Sequence, residues 1–153
     1  YAAFLRDKAS PYAAKLTQIM AEAALLEEGV GPVRLVLGHN DLLAANLLDD
    51  GTRLWLIDWE YGGFNSPLFD LGGLATNNGL SEDQERAVLE RYFQADPTPR
   101  WRAYQAMKCA SLMRETMWSM VSETHSTIDF DYAAYTAENL SRLRVALSEF
   151  ANT

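Results

Sequence analysis

Apolar positions along the chain recur at helical spacing in several long stretches and cluster in two short runs. Tyr12, Leu16, Ile19, Met20, Ala23 and Leu26 share one helical face. Ser10 stands as an N-cap before Pro11, and Gly29 and Pro32 stop the pattern, predicting a helix over 11–28. Arg34 to Gly38 (RLVLG) reads as a short buried strand, followed by a polar turn at 39–41 and then Leu42 to Leu48. Asp50-Gly51, set between Leu47-Leu48 and Arg53 to Asp58 (RLWLID), is a two-residue hairpin signal. Such a turn pairs Leu47 with Leu54 and sets Asp58 opposite Leu43. Leu54, Trp55, Leu56 and Ile57 leave no polar face, so both faces are expected to be covered.

Ser81-x-x-Gln84 is a capping box that opens a helix to about Gln94, which Asp96-Pro97 closes. Thr98-Pro99 opens a long helix to about Thr124, carrying Trp101, Tyr104, Met107, Met117, Trp118 and Val121. After a short loop, Asp129 or Asp131 caps a last helix with Tyr132, Tyr135, Leu140, Leu143, Leu147 and Phe150. The expectation is one domain over 1–153, mainly α (α+β), with one small β-hairpin.

Composition narrows the function classes. The 153 residues are 48% hydrophobic and 22% charged, enough for one core and unlike a disordered chain. No apolar run reaches the length of a membrane span. A formal charge of −8 disfavours nucleic acid and anionic membrane as partners and suits a small cationic one. The single cysteine, Cys109, excludes an intramolecular disulfide and points to a reducing, cytoplasmic compartment. The chain opens Tyr1-Ala2-Ala3 with no methionine or basic leader, which reads as a segment of a longer polypeptide.

The hairpin brings Asp41, Asn46 and Asp58 together from two stretches of chain. Carboxylates flanked by apolar strands need a partner, because an unpaired buried charge is costly. A hard divalent cation is one such partner, since it favours carboxylate and amide oxygens and leaves room for phosphate. Loop capping by Asp41 and Asn46, with Asp58 as a strand end, is the other. The compound spacing favours the first: His39-x-Asp41-x4-Asn46, then Ile57-Asp58 after a gap.

HNDLLAANLL (39–48) and LIDWEYGG (56–63) resemble the catalytic and metal-binding loops of choline/ethanolamine kinases and the wider aminoglycoside phosphotransferase family. The resemblance implies the helical C-terminal lobe of the protein-kinase-like fold, with ATP as co-substrate. It implies Asp41 as the catalytic carboxylate that accepts the hydroxyl proton, and Asn46 and Asp58 as ligands of Mg2+. His39 then braces the loop, Asp70 anchors it or caps a helix, and Glu60 is an acid near the metal or substrate. Nothing before Arg34 resembles the phosphate-covering lobe, so the missing N-terminal lobe is expected elsewhere in the same polypeptide.

The acceptor is read from the last two helices, which should pack as an antiparallel hairpin. Trp118 and Tyr135 then sit at similar heights, with Glu115 one turn before Trp118. An indole, a phenol and a carboxylate suit an ammonium group; aromatics at helical spacing equally suit a core. SLMRETMWSMVSE (111–123) and IDFDYAAY (128–135) are similar to the choline-kinase region that surrounds the trimethylammonium group. Glu115 stands where animal choline kinases carry another tryptophan, and Asn77 where they carry an acid. The implied activity is ATP-dependent phosphorylation of choline, ethanolamine or another small amino alcohol. An aminoglycoside or thiamine kinase-like phosphotransferase, and a non-catalytic amine-binding pseudokinase module, are the alternatives.

Overall fold

The helix expected over 11–28 starts later than its sequence signal. In a computed structural model that describes residues 1–153, Ser10 Oγ accepts from Tyr12 N at 3.3 Å and Ala13–Lys15 form a single 3-10 turn. Helix α2 then runs Leu16–Val30 and ends at Gly31, whose φ of 65° is left-handed. A short helix α1, Ala2–Asp7, precedes it and buries Leu5 completely. Six residues are too few to carry a readable period, which is why the sequence pattern did not declare it.

Four three-residue strands form two separate antiparallel pairs rather than one hairpin. Strand β1 (Val36–Gly38) pairs with β4 (Gly63–Asn65), and β2 (Leu47–Asp49) with β3 (Leu54–Leu56). The β2–β3 register pairs Leu47 with Leu56 and Asp49 with Leu54, two residues away from the expected pairing. Asp50 explains the shift. Its carboxylate accepts from Thr52 N at 2.9 Å, Arg53 N at 2.8 Å and Trp55 Nε1 at 2.7 Å, closing a four-residue loop over 50–53. These bonds hold its carboxyl well below the usual carboxylate range.

The expected burial of these strands is not found. Leu37 is 64%, Leu54 63% and Phe64 77% exposed, because the strands form two-stranded ribbons with no second sheet or layer over these side chains. Trp55 and Ile57 are exposed as well.

The core is helical. Helix α3 (Pro67–Asn78) begins at Ser66, whose Oγ accepts from Leu68 N, and carries Pro67 in its first turn. Helix α4 (Glu82–Phe93) opens on the expected Ser81/Gln84 capping box. After a 3-10 turn at Thr98–Arg100, α5 runs Trp101–His125, and Asp131 caps α6, Tyr132–Ala151. Helix α5 is the spine. Its buried Ala106, Cys109, Leu112, Met113, Met117 and Met120 meet Leu16, Ile19 and Leu26 of α2 and Leu143, Ala146 and Phe150 of α6. A second cluster joins Leu68, Leu71 and Ala75 of α3 to Leu89 of α4 and Tyr104 of α5. No helix is long and apolar enough to cross a membrane.

Candidate active site

Helix α3 fixes the loop that follows β1. Asp70, in the first turn of α3, accepts from His39 N at 2.7 Å and from Asn40 N at 2.6 Å. The approach is tight enough that a Cβ on Gly38 would lie 2.9 Å from Asp70 Oδ2, so a side chain there would displace the Asp70 carboxylate. His39 is buried, and its Nε2 lies 2.7 Å from the Ile57 carbonyl, with its ring edge-on to Trp59. A carbonyl only accepts, so Nε2 is the donor of this bond, while the buried Nδ1 has no partner. Asn40, at φ 64°, donates through Nδ2 to Tyr61 O at 3.0 Å and accepts from Asn65 Nδ2 at 2.9 Å, tying the loop to β4.

Asn46 and Asp58 sit on neighbouring chain segments. Asn46 is buried at the end of the 3-10 turn Ala44–Asn46, where its Nδ2 donates to the Asp41 carbonyl at 3.1 Å. Its own carbonyl accepts from Ile57 N at 3.0 Å, which sets Asn46 beside the residue preceding Asp58. Asp58 is exposed and left-handed at φ 62°, an unusual conformation for a residue with a Cβ. The pair offers only amide and carboxylate oxygens, the donor chemistry of a hard cation that keeps other oxygens around it. No group of three or more His, Cys, Asp or Glu side chains is arranged to hold a metal by itself.

A cavity of about 440 Å³ opens between the 39–46 loop, α3, α5 and the segment leading into α6. Asp41, Glu115, Trp118 and Tyr135 all line it, so four of the residues singled out from sequence share one space. Tyr135 Oη donates to Glu115 Oε1 at 2.9 Å. Burial, and then the neighbouring Glu115, push the Tyr135 hydroxyl above its usual range. Glu60 lies on the exposed 3-10 turn Trp59–Tyr61 and does not line the cavity; neither do Asn46 and Asp58.

The cavity also contains residues that the sequence reading passed over. Phe130 and Tyr132 extend the aromatic wall: Phe130 lies 4.9 Å from Tyr132 and 5.7 Å from Tyr135, and Tyr132 lies 6.0 Å from Trp118. Arg114 faces the Tyr61 ring at 5.4 Å and bonds Asp41 Oδ1 through Nη2 at 3.3 Å. Its spacing of four from Trp118 was the available signal, because that spacing places both on one face of α5. Asn77, from α3, donates to the Leu42 carbonyl at 3.3 Å.

A family model described as the phosphotransferase enzyme family matches residues 2–107. The chain belongs to this family. Its relatives include protein LicA of Haemophilus influenzae, 31% identical over 144 residues that cover 87% of this chain and 53% of that protein. Human ethanolamine kinase 2 is 29% identical, over 79% of this chain and 37% of its own length. The chain thus spans about half or less of the length of these relatives. A solved choline/ethanolamine kinase family protein from Mesorhizobium loti superposes with a TM-score of 0.83 at 26% identity, covering 97% of this chain and 54% of that one. The choline/ethanolamine kinase resemblance and the helical-lobe fold expected from sequence are both found.

Proposed function

We propose that this chain is the acceptor-binding lobe of a kinase that transfers the γ-phosphoryl group of ATP to the hydroxyl of a small amino alcohol. One observation carries the reading: a single cavity holds Asp41 together with an aromatic wall and Glu115. A molecule that carries both a hydroxyl and an ammonium matches that combination. A cavity of about 440 Å³ suits an acceptor of that size.

In this reading Asp41 orients the acceptor hydroxyl and takes its proton as the oxygen bonds to the γ-phosphorus. The bond from that phosphorus to the β–γ bridging oxygen breaks, and ADP leaves. Asn46 Oδ1 and the Asp58 carboxylate would hold magnesium, which when bound neutralises phosphate charge. The Asn46 Nδ2 bond to the Asp41 carbonyl supports this division, because it leaves Oδ1 as the atom free to act as ligand. His39 and Asp70 are positioning residues that lock the loop at both backbone and side chain.

The reading includes a phosphate-covering lobe in the same polypeptide. It is supported by relatives that extend well past the matched span and by the open apolar faces of β2, β3 and β4.

The test is an ATP-coupled assay on the full-length polypeptide with ethanolamine, choline, thiamine and kanamycin side by side. Ethanolamine or choline should be the preferred acceptor. Asp41→Asn should lower kcat by about 10²–10⁴-fold with an unchanged far-ultraviolet circular dichroism spectrum. Full activity in that variant would sink the catalytic assignment, and amine binding without turnover in the wild type would return the non-catalytic module.

A further inference from the structure

We infer that Glu115 makes this site require at least one N–H bond on the acceptor's ammonium, so that it favours primary, secondary and tertiary amino alcohols over a quaternary one. The inference rests on the amino-alcohol reading above and adds the feature of the amine that is recognised.

An aromatic wall attracts any ammonium, methylated or not, through the ring quadrupole. Trp118, Phe130, Tyr132 and Tyr135 therefore draw a cation into the cavity without discriminating among them. A carboxylate in the same wall is different. It accepts short, charge-assisted hydrogen bonds from an N–H, and a trimethylammonium has none to give.

Glu115 is placed to act this way. Its side chain is 21% exposed, and it is oriented by donors on both sides. Tyr135 Oη donates to Oε1 at 2.9 Å, and Arg114 Nη2 stands 3.6 Å from Oε2. Each carboxylate oxygen offers two lone pairs, so each keeps one free, and Glu115 lines the cavity. The Arg114 charge is shared with Asp41, at 3.3 Å, so Glu115 is not neutralised by it alone. The fixed carboxylate thus meets a cation while still lacking part of its hydrogen-bonding complement, which an N–H supplies and a methyl group does not.

The experiment is a methylation series: ethanolamine, N-methylethanolamine, N,N-dimethylethanolamine and choline, each with the full-length polypeptide. The first three should give kcat/KM values within a few-fold of each other. Choline should fall by about tenfold or more, because loss of the last N–H removes a charge-assisted hydrogen bond. Glu115→Leu should flatten that final step while retaining the aromatic wall. A wild type that treats dimethylethanolamine and choline alike overturns the inference, as does a step that persists in Glu115→Leu. The same four amines are titrated by quenching of tryptophan fluorescence, which reads Kd without turnover. If none is phosphorylated, the phosphotransfer reading falls. The Kd series then decides the present inference separately: a step at the last methyl supports it, and equal Kd values overturn it.

Discussion

Arg114 Nη2 lies 3.3 Å from Asp41 Oδ1 and 3.6 Å from Glu115 Oε2, so one guanidinium nitrogen stands between two carboxylates of the same cavity. It holds apart charges that would otherwise repel and fixes the Asp41 carboxylate against α5. Arg114→Met should lower kcat/KM by about 10–100-fold, the worth of one charge-assisted hydrogen bond. Arg114→Lys should restore part of the loss, since an ammonium keeps the charge but not the planar guanidinium that also faces the Tyr61 ring. Steady-state kinetics on both variants, beside their melting temperatures, checks this. An unchanged kcat/KM in Arg114→Met would remove Arg114 from the site.

The loop that carries Asp41 depends on a helix crossing one turn away. A Cβ on Gly72 would lie 2.7 Å from Lys108 Cα and 2.9 Å from Lys108 N, so α3 packs on the α5 backbone with no room for a methyl. Gly72→Ala should cost about 1–3 kcal/mol by overpacking. Asp70, two residues earlier on α3, should shift with the helix and loosen its bonds to His39 N and Asn40 N. Chemical denaturation reads the first effect, and faster amide exchange at 39–40 reads the second. A variant as stable as wild type would show that the crossing relaxes at no cost.

Alkaline pH should destabilise the fold. Burial pushes the Cys109 thiol up to about 12 and, with the Glu123 hydrogen bond, the Tyr12 phenol up to about 12. Burial and then Glu85 raise Tyr104 further. In the unfolded chain these groups ionise from about pH 8.5 to 10. The folded chain therefore binds more protons across that range, and its stability is full below it and falls as pH rises towards 12. The melting temperature should decline steadily from pH 8 to pH 11. At pH 8 a thiol reagent should label Cys109 only when denaturant is present, and rapid labelling of the native chain would contradict its burial.

Much of this was legible in the residue pattern, and the misses have physical causes. The Ser81/Gln84 box and the Asp131 cap were readable because capping is local, decided within four residues. Helix α3 and strand β4 carry no clear period, and α3 was anticipated only through Asp70 as a possible helix cap: Gly72 and Gly73 interrupt its apolar face where it meets α5. The β2–β3 register failed because the Asp50 side chain made a longer loop than its Asp-Gly dipeptide signals. Phe130, Tyr132 and Arg114 lie in the segments that resemble choline kinases, but their place in the site was not legible there, because a side chain's share in a cavity depends on its neighbours in space.

By itself, the sequence determined the helical character of the chain, the two motif loops and the residues from which a site could be built, since propensities, caps and motif spacings act over short stretches. Tertiary structure alone decided which of them meet. Packing of α3 and α6 on α5 brings residues 41, 114, 115, 118 and 135 to one cavity and leaves Glu60 outside it. The physical reason is that convergence of charges and rings is set by how helices cross, and the crossing at Gly72 and Lys108 is fixed by shape between segments far apart in the chain.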